Sequence, residues 1–428
     1  MKPNGPLTLV GFGFGPIQAG LFALEALRSG NFARIVIAEV LHDVVEAVRE
    51  ARGSFRLNIA HPDRLESLTL GPIEMLDPAI EEDREALVAA VASASEIATA
   101  VPSVRYYQND SPGSIHRIIA RGLLRRGGAP AIVYAAENHN RAAEVLREAV
   151  LSEVPAADRA GLLASVGFAD TVIGKMSAVI ADPERLTRTG LRTITPHDRR
   201  AFLVETFNTI LVSRIAVSSP APPRRGITIF EEKADLVPFE DAKLYGHNAA
   251  HALAAYLASL RNLVEMESLR KVPGAVELVR DALVEEAGKA LCRKWSGKDP
   301  LFTEEGFSAH ASGLLERIFN PFLGDLVERV ARDPERKLGW NDRLVGAMRL
   351  ALSADVLPRR LALGAAAALL HHEPRLREEG TPAEDVLEEI WRPSFPDLVE
   401  KVKVLELVRE ALPRLRRWLR DGSALSSF

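Results

Sequence analysis

The chain begins with a short apolar run, Leu7 to Gly11, followed by a helical pattern from Ile17 to Arg28. A second β-rich run, Arg34 to Glu39, and a second helical pattern, Val44 to Ala51, come next. Further strand patterns lie at Glu96 to Val101 and Ala131 to Ala136, the latter preceded by a helix-like stretch, Ser114 to Arg126. Short β-rich runs alternating with helical periodicity predict a parallel sheet with crossover helices, so the N-terminal part reads as α/β. From about Ala242 the pattern changes to long amphipathic helices, such as Val276 to Cys292 and Leu344 to Ser353, broken near Pro300, Pro321 and Pro358. The second part therefore reads as mostly α-helical. The proline-dense stretch Val217 to Gly226 suits a surface loop, and the domain boundary is placed near Pro196, giving residues 1–195 and 196–428.

Composition narrows the class. A chain of 428 residues that is 47% hydrophobic exceeds one ordinary domain, and a net charge of -4 with both signs interspersed leaves no basic stretch suited to a nucleic-acid backbone. The single cysteine, Cys292, allows no intrachain disulfide and fits a reducing, cytoplasmic setting. The longest apolar stretch, Leu361 to Leu370, is half of the ~20 residues a bilayer span needs. The N-terminal stretch lacks a small-residue cleavage pattern. These features predict a soluble, unprocessed protein with no membrane or nucleic-acid partner.

Two stretches carry candidate chemistry. In Leu7-Thr-Leu-Val-Gly-Phe-Gly-Phe-Gly-Pro-Ile-Gln-Ala-Gly20, glycines 11, 13 and 15 fall between an apolar strand and a helix that opens on Pro16 and Ile17. Missing side chains let a backbone approach a dinucleotide pyrophosphate, and a helix N-terminus offers unpaired N–H donors to it. Glu39, ending the second strand some twenty-odd residues on, is placed to accept hydrogen bonds from an adenosine ribose. Gln18 stands where the glycine pattern normally closes, and a turn without a ligand would share much of this spacing. In Pro238-Phe-Glu-Asp-Ala-Lys-Leu-Tyr-Gly-His-Asn-Ala-Ala-His-Ala252, a helix would put Lys243, His247 and His251 at i, i+4 and i+8, with Asn248 and His251 three apart. A buried ammonium with a lowered pKa is suited to general-base work, and an amide beside it can hold a developing oxyanion. The competing readings are a charged helix face with satisfied histidines and a zinc site. The latter lacks the glutamate of H-E-x-x-H, since Asn248 takes that place.

On these residues the chain resembles the polyol-specific long-chain dehydrogenases, whose K-x4-N-x2-H hallmark is matched by Lys243, Asn248 and His251. Agreement continues in order through Ala136-Glu-Asn138, Val166-Gly-Phe-Ala-Asp170, Arg317-Ile-Phe-Asn-Pro-Phe-Leu-Gly-Asp325, Arg329 to Leu338 and Asp342-Arg343-Leu344. The resemblance implies a Rossmann-type α/β domain with a parallel sheet, an α-helical C-terminal domain and an active site between them. It implies NAD as cofactor, no metal, Lys243 as base, Asn138 and Asn248 as oxyanion-holding amides and His251 as a substrate-positioning group. It further implies that Glu240 links the base to solvent and that Arg329 and Lys337 touch substrate oxygens. Arg336 belongs to the same basic cluster as Arg329, Arg332, Lys337 and Arg343, and the forked donors of its arginines suit a phosphate dianion.

Within the family the resemblance is strongest to the branch interconverting D-mannitol 1-phosphate and D-fructose 6-phosphate. An unphosphorylated polyol dehydrogenase and a hexuronate reductase are the competing enzymes. A catalytically inactive NAD-binding scaffold is the competitor of another class. A small sugar alcohol or sugar phosphate is the expected partner, and a monomer or small homo-oligomer the expected state. Departures from the family pattern are Gln18, Gly174 in place of an aspartate, and Ile210 in place of a tryptophan.

Overall fold

A computed structural model describes residues 7–215, 217, 218, 223–378 and 383–422. It divides into two compact units, Met1–Val237 and Pro238–Phe428. In the first unit the strands are β1 (Leu7–Phe12), β2 (Phe32–Ala38), β3 (Phe55–Ala60), β4 (Leu65–Leu70), β5 (Glu74–Leu76) and β6 (Glu96–Thr99). They continue as β7 (Ala131–Ala135), β8 (Val166–Ile173), β9 (Ser177–Ile180), β10 (Ala201–Glu205), β11 (Ile210–Ser213) and β12 (Phe230–Lys233). An eight-stranded sheet runs β12-β11-β8-β7-β6-β1-β2-β5 and a four-stranded sheet runs β4-β3-β10-β9. From β5 to β8 every pairing of the larger sheet is parallel, and β11 joins it antiparallel to β8. The order reverses direction at β1 and β6, the switch point where open α/β sheets bind ligands beyond their strand ends.

Strand alternation makes the two faces. Leu9, Ile35, Ile37, Ile132 and Tyr134 pack with the helical residues Leu21 and Phe22 and with Phe55 and Phe202 of the smaller sheet. Val10, Val36, Ile97 and Val133 point the other way, onto Leu87, Val91, Ile118, Leu123 and Leu146. Both faces are covered, which is why these strands read as nearly continuous apolar runs.

The expected boundary near Pro196 lies inside the first unit, and its position is corrected to between Val237 and Pro238. The cause is pairing across sequence: β10 bonds in parallel to β3, and β11 antiparallel to β8. Of the proline-dense stretch 217–226, positions 219–222 lie outside the described residues.

The second unit is helical throughout its described regular structure, apart from one β-bridge between Glu265 and Leu326. Its central helix, Asn248–Leu260, is buried on nearly every side and packs on Arg359–His372, which packs on Leu398–Asp421. Apolar residues all round mark a helix at the middle of a bundle. The alanine-rich run 361–370, too short for a membrane, is the small-residue face that allows this approach. A Cβ at Gly364 would stand 3.0 Å from Leu253 Cδ1. Among the described residues no helix is long and apolar enough to cross a membrane.

Candidate active site

The first unit holds the glycine loop where the strand β1 ends. Gly13 has φ +82°, and a Cβ there would stand 3.0 Å from the Ala100 carbonyl oxygen, so this turn requires glycine. A Cβ at Gly11 would come within 2.2 Å of Gln18 Nε2, whereas one at Gly15 would meet nothing within 4 Å. Open space at Gly15, beside the helix turn opened by Pro16 and Ile17, is the cradle a pyrophosphate requires, and the loop therefore fits a dinucleotide. Gln18 fills the room next to Gly11. Fully buried, its amide nitrogen and oxygen both lack a hydrogen-bond partner among the described residues. The helix continues from Gln18 to Ala23 in π geometry.

Glu39 is bound to this loop. One carboxylate oxygen accepts the Phe14 N–H at 2.6 Å, and the other accepts those of Val40 and Leu41 at 2.7 and 2.8 Å. At 7% exposure the carboxylate braces the turn. It would also repel a phosphate on the neighbouring ribose, and no arginine follows it to pair with one. The expected result is a clear preference for NAD over NADP, with Glu39→Gln narrowing the kcat/KM ratio by about tenfold. Equal efficiency of the two cofactors with the unmutated protein would refute this.

Asn138 lies on the exposed segment just after β7. The preceding Glu137 is buried and accepts from Thr99 Oγ1 and the Val101 N–H, each at 2.9 Å, and from the Tyr107 hydroxyl in a short bond. Burial pushes the Glu137 carboxyl up, against the pull of its donors Tyr107, Val101 and Thr99. Nothing in the local sequence marks Glu137 for this task, because an acid at a strand end shows no partner until the sheet is formed. Gly174 meets no tight contact: a Cβ there would touch Phe207 at 3.5 Å. Its neighbour Lys175 is held by the carbonyls of Glu205 and Phe207 at 2.5 and 2.9 Å. Ile210 is fully buried in β11.

In the second unit, Glu240 lies on the short helix Val237–Asp241, and the residues Ala242–His247 that follow form a π turn leading into Asn248–Leu260. This differs from the continuous α-helix expected. The Asn248 N–H bonds to the Lys243 carbonyl, one full π turn back. A π-helix closes i→i+5 bonds and takes more residues per turn than an α-helix, so the five-residue step from Lys243 to Asn248 leaves the two closer to one side of the helix than an α-helix would. The three-residue step to His251 is one α turn. The odd spacing of K-x4-N-x2-H is thus a π turn followed by an α turn.

Burial lowers the Lys243 ammonium pKa to about 8, helped by the Arg343 charge and opposed by Glu240. The side chain retains some solvent access while protein crowds it. His247 is buried, and burial followed by the Arg317 charge hold it well below the ordinary histidine range, so it is neutral. The His247 and His251 rings lie 6.2 Å apart between centroids. Among the described residues no group of three or more histidines, cysteines or acids is placed to hold a metal.

The basic residues separate into different situations. Arg329 makes a two-pronged pair with Asp325, each bond 2.7 Å. Lys337 is buried at 4% exposure, donates to the Val330 carbonyl at 2.6 Å and, in a short bond, to that of Arg332, and lies 5.8 Å from the Tyr256 ring centre. Burial, with Arg343 and Arg336 nearby, lowers its pKa to about 8. Arg336 is half-exposed, 3.4 Å from Asp342 and 4.0 Å from Asp333. Arg343, another member of the basic cluster, influences Lys243, Tyr256 and Lys337 alike.

A nucleotide-loop sheet followed by a helical unit bearing a buried lysine, an asparagine and a histidine in register defines a two-domain dehydrogenase architecture. Family models described as the mannitol dehydrogenase Rossmann domain and the mannitol dehydrogenase C-terminal domain match residues 8–224 and 235–408, and the chain belongs to this family. It is 30% identical to a mannitol-1-phosphate 5-dehydrogenase of Bacillus licheniformis over 84% of this chain and 86% of that one. It is 27% identical to one from Brevibacillus brevis over 96% and 99%. Among solved structures it is similar to a D-sorbitol dehydrogenase in substrate-free form, with a TM-score of 0.71, 16% identity and coverage of 98% and 96%. Similar in fold is Pseudomonas fluorescens mannitol 2-dehydrogenase with NAD and D-mannitol, at a TM-score of 0.67, 17% identity and coverage of 98% and 93%.

Proposed function

We propose that this protein is an NAD-dependent, metal-independent dehydrogenase that interconverts a polyol phosphate and a ketose phosphate, with D-mannitol 1-phosphate and D-fructose 6-phosphate as the pair. The observation that carries the reading is the π turn that brings Lys243 and Asn248 toward one side of the helix, with the lysine pKa brought down to about 8. Held at the glycine loop, NAD would supply the acceptor for the hydride of the carbinol carbon. Lys243 Nζ takes the hydroxyl proton as the carbonyl forms, and a base poised near neutral pH does this with little penalty. Asn248 and Asn138 donate amide hydrogens to the oxygen as its charge develops. His251 positions a neighbouring hydroxyl, and Glu240 passes the proton on from the lysine. Loop glycines 11, 13 and 15 and Glu39 serve the cofactor. Arg329, Arg336 and Lys337 serve the substrate.

The names of the relatives support the phosphorylated substrate. An unphosphorylated polyol or a hexuronate is the second reading. What favours it is Lys337, whose ammonium is already held by two backbone carbonyls. A substrate panel with NADH decides: fructose 6-phosphate is expected to exceed fructose and hexuronates in kcat/KM, and dialysis against chelator is expected to leave the rate unchanged. A better rate with fructose or a hexuronate overturns the phosphate assignment. Loss of activity on chelation, restored by zinc, overturns metal independence.

A further inference from the structure

The helix Asn248–Leu260 sets His251 against a distant part of the chain within the second unit. After this helix the backbone at 264–266 pairs with 325–327: the Met266 N–H bonds to the Asp325 carbonyl and the Val327 N–H to that of Val264, both at 2.9 Å. The Glu265 to Leu326 bridge lies between them. This short ladder seats the Asp325 carboxylate, 4% exposed in its side chain, 3.2 Å from His251 Nε2. The ring nitrogen lies off the ideal line to the carboxylate, yet it is buried and has no other hydrogen-bond partner among the described residues. The same carboxylate holds both prongs of Arg329. One buried acid therefore ties together two residues to which substrate contact is assigned.

We propose that Asp325 is a positioning residue for the reaction: its carboxylate keeps the proton of His251 on Nε2, leaving Nδ1 bare as a hydrogen-bond acceptor for a substrate hydroxyl, and sets the angle of Arg329. The inference rests on the substrate-positioning role of His251 given above. A carboxylate on one ring nitrogen decides the tautomer and so decides which nitrogen can accept. Burial opposes the charge of Asp325, but the hydrogen bond and charge of His251 and then Arg329 outweigh it and hold the carboxyl below its ordinary value. The acid is thus ionised at any pH at which Lys243 can act as a base. Arg329 supplies the countercharge without which a buried carboxylate would be costly.

The test has a spectroscopic arm and a kinetic arm. In protein labelled with 15N-histidine, His251 is assigned by its loss in His251→Ala. Its ring signals are expected to show a protonated Nε2 and a bare Nδ1 with no substrate present. In Asp325→Asn the ring is expected to shift to a mixture of tautomers. For kinetics, Asp325→Asn is expected to lower kcat/KM for the best sugar substrate by about ten- to hundredfold, with the Kd for NADH unchanged. In the His251→Ala background most of that loss is expected to vanish, because a residue acting through His251 has little left to act on. A bare Nε2 in the unmutated protein overturns the proposal even where the variant fails to fold. Losses that multiply independently across the two substitutions also overturn it. Because the ring signals are read without substrate, failure of the tautomer assignment stays distinct from failure of the polyol phosphate reading, which the substrate panel tests.

Discussion

Lys243→Ala is expected to lower kcat by about two to four orders of magnitude, the range a positioned general base supplies, while leaving the Kd for NADH nearly unchanged. A base that acts on the substrate hydroxyl serves both directions, so the loss should fall on turnover in both. With its pKa near 8, oxidation of the polyol requires the neutral amine and should rise with pH through about 8 before levelling. Reduction of the ketose requires the ammonium and should decline above the same point. A lysine whose pKa is about 8 when folded, against 10.5 as its ordinary value, binds its proton more tightly in the unfolded chain. The penalty is full below about 8 and is relieved as the pH rises toward 10.5. Lys243→Met is therefore expected to raise the Tm at neutral pH and to abolish turnover together, an exchange of stability against function. A pH-independent oxidation rate, or full turnover in either variant, would remove Lys243 as the base.

Arg336→Ala is expected to raise the KM for fructose 6-phosphate and to leave fructose nearly unaffected. Half-exposed and loosely placed near Asp333 and Asp342, Arg336 is the least committed cation among the three assigned to substrate. Arg329 is spent on Asp325, and Lys337 on carbonyls. Removing one charge-assisted partner from a partly desolvated phosphate costs about 1.5–3 kcal/mol, or roughly a ten- to hundredfold loss of kcat/KM. An equal loss on both substrates would show that Arg336 supports the fold of this turn and does not read phosphate.

The strands and helices that lie in one face-to-face layer were legible in sequence. The patterns at Leu7 to Gly11, Arg34 to Glu39, Glu96 to Val101 and Ala131 to Ala136 correspond to β1, β2, β6 and β7. These central strands are buried on both sides, and their continuous apolar runs stand out. The smaller sheet was not legible. Its strands β4 and β9 carry mixed, partly exposed residues, and β10 pairs in parallel with β3 over a long stretch of sequence. That pairing is also why the boundary lies at Val237, beyond the position that a change of local pattern suggested.

The candidate site divides along the same line. Residue types and their spacing determined which chemistry this chain can carry: three glycines at a strand end, an acid ending the next strand, and lysine, asparagine and histidine at fixed steps. Those are local facts, set by covalent order and by the few periods a backbone can adopt. Tertiary structure decided what each group is free to do. It wound 242–247 into a π turn, drew the Lys243 pKa down by burial, bound Glu39 to the turn it follows and tied up Lys337 on carbonyls. It also brought Asp325 across more than seventy residues of chain to the ring of His251. Desolvation, hydrogen-bond competition and charge pairing depend on which distant groups become neighbours, and a linear pattern records residue order without recording those neighbours.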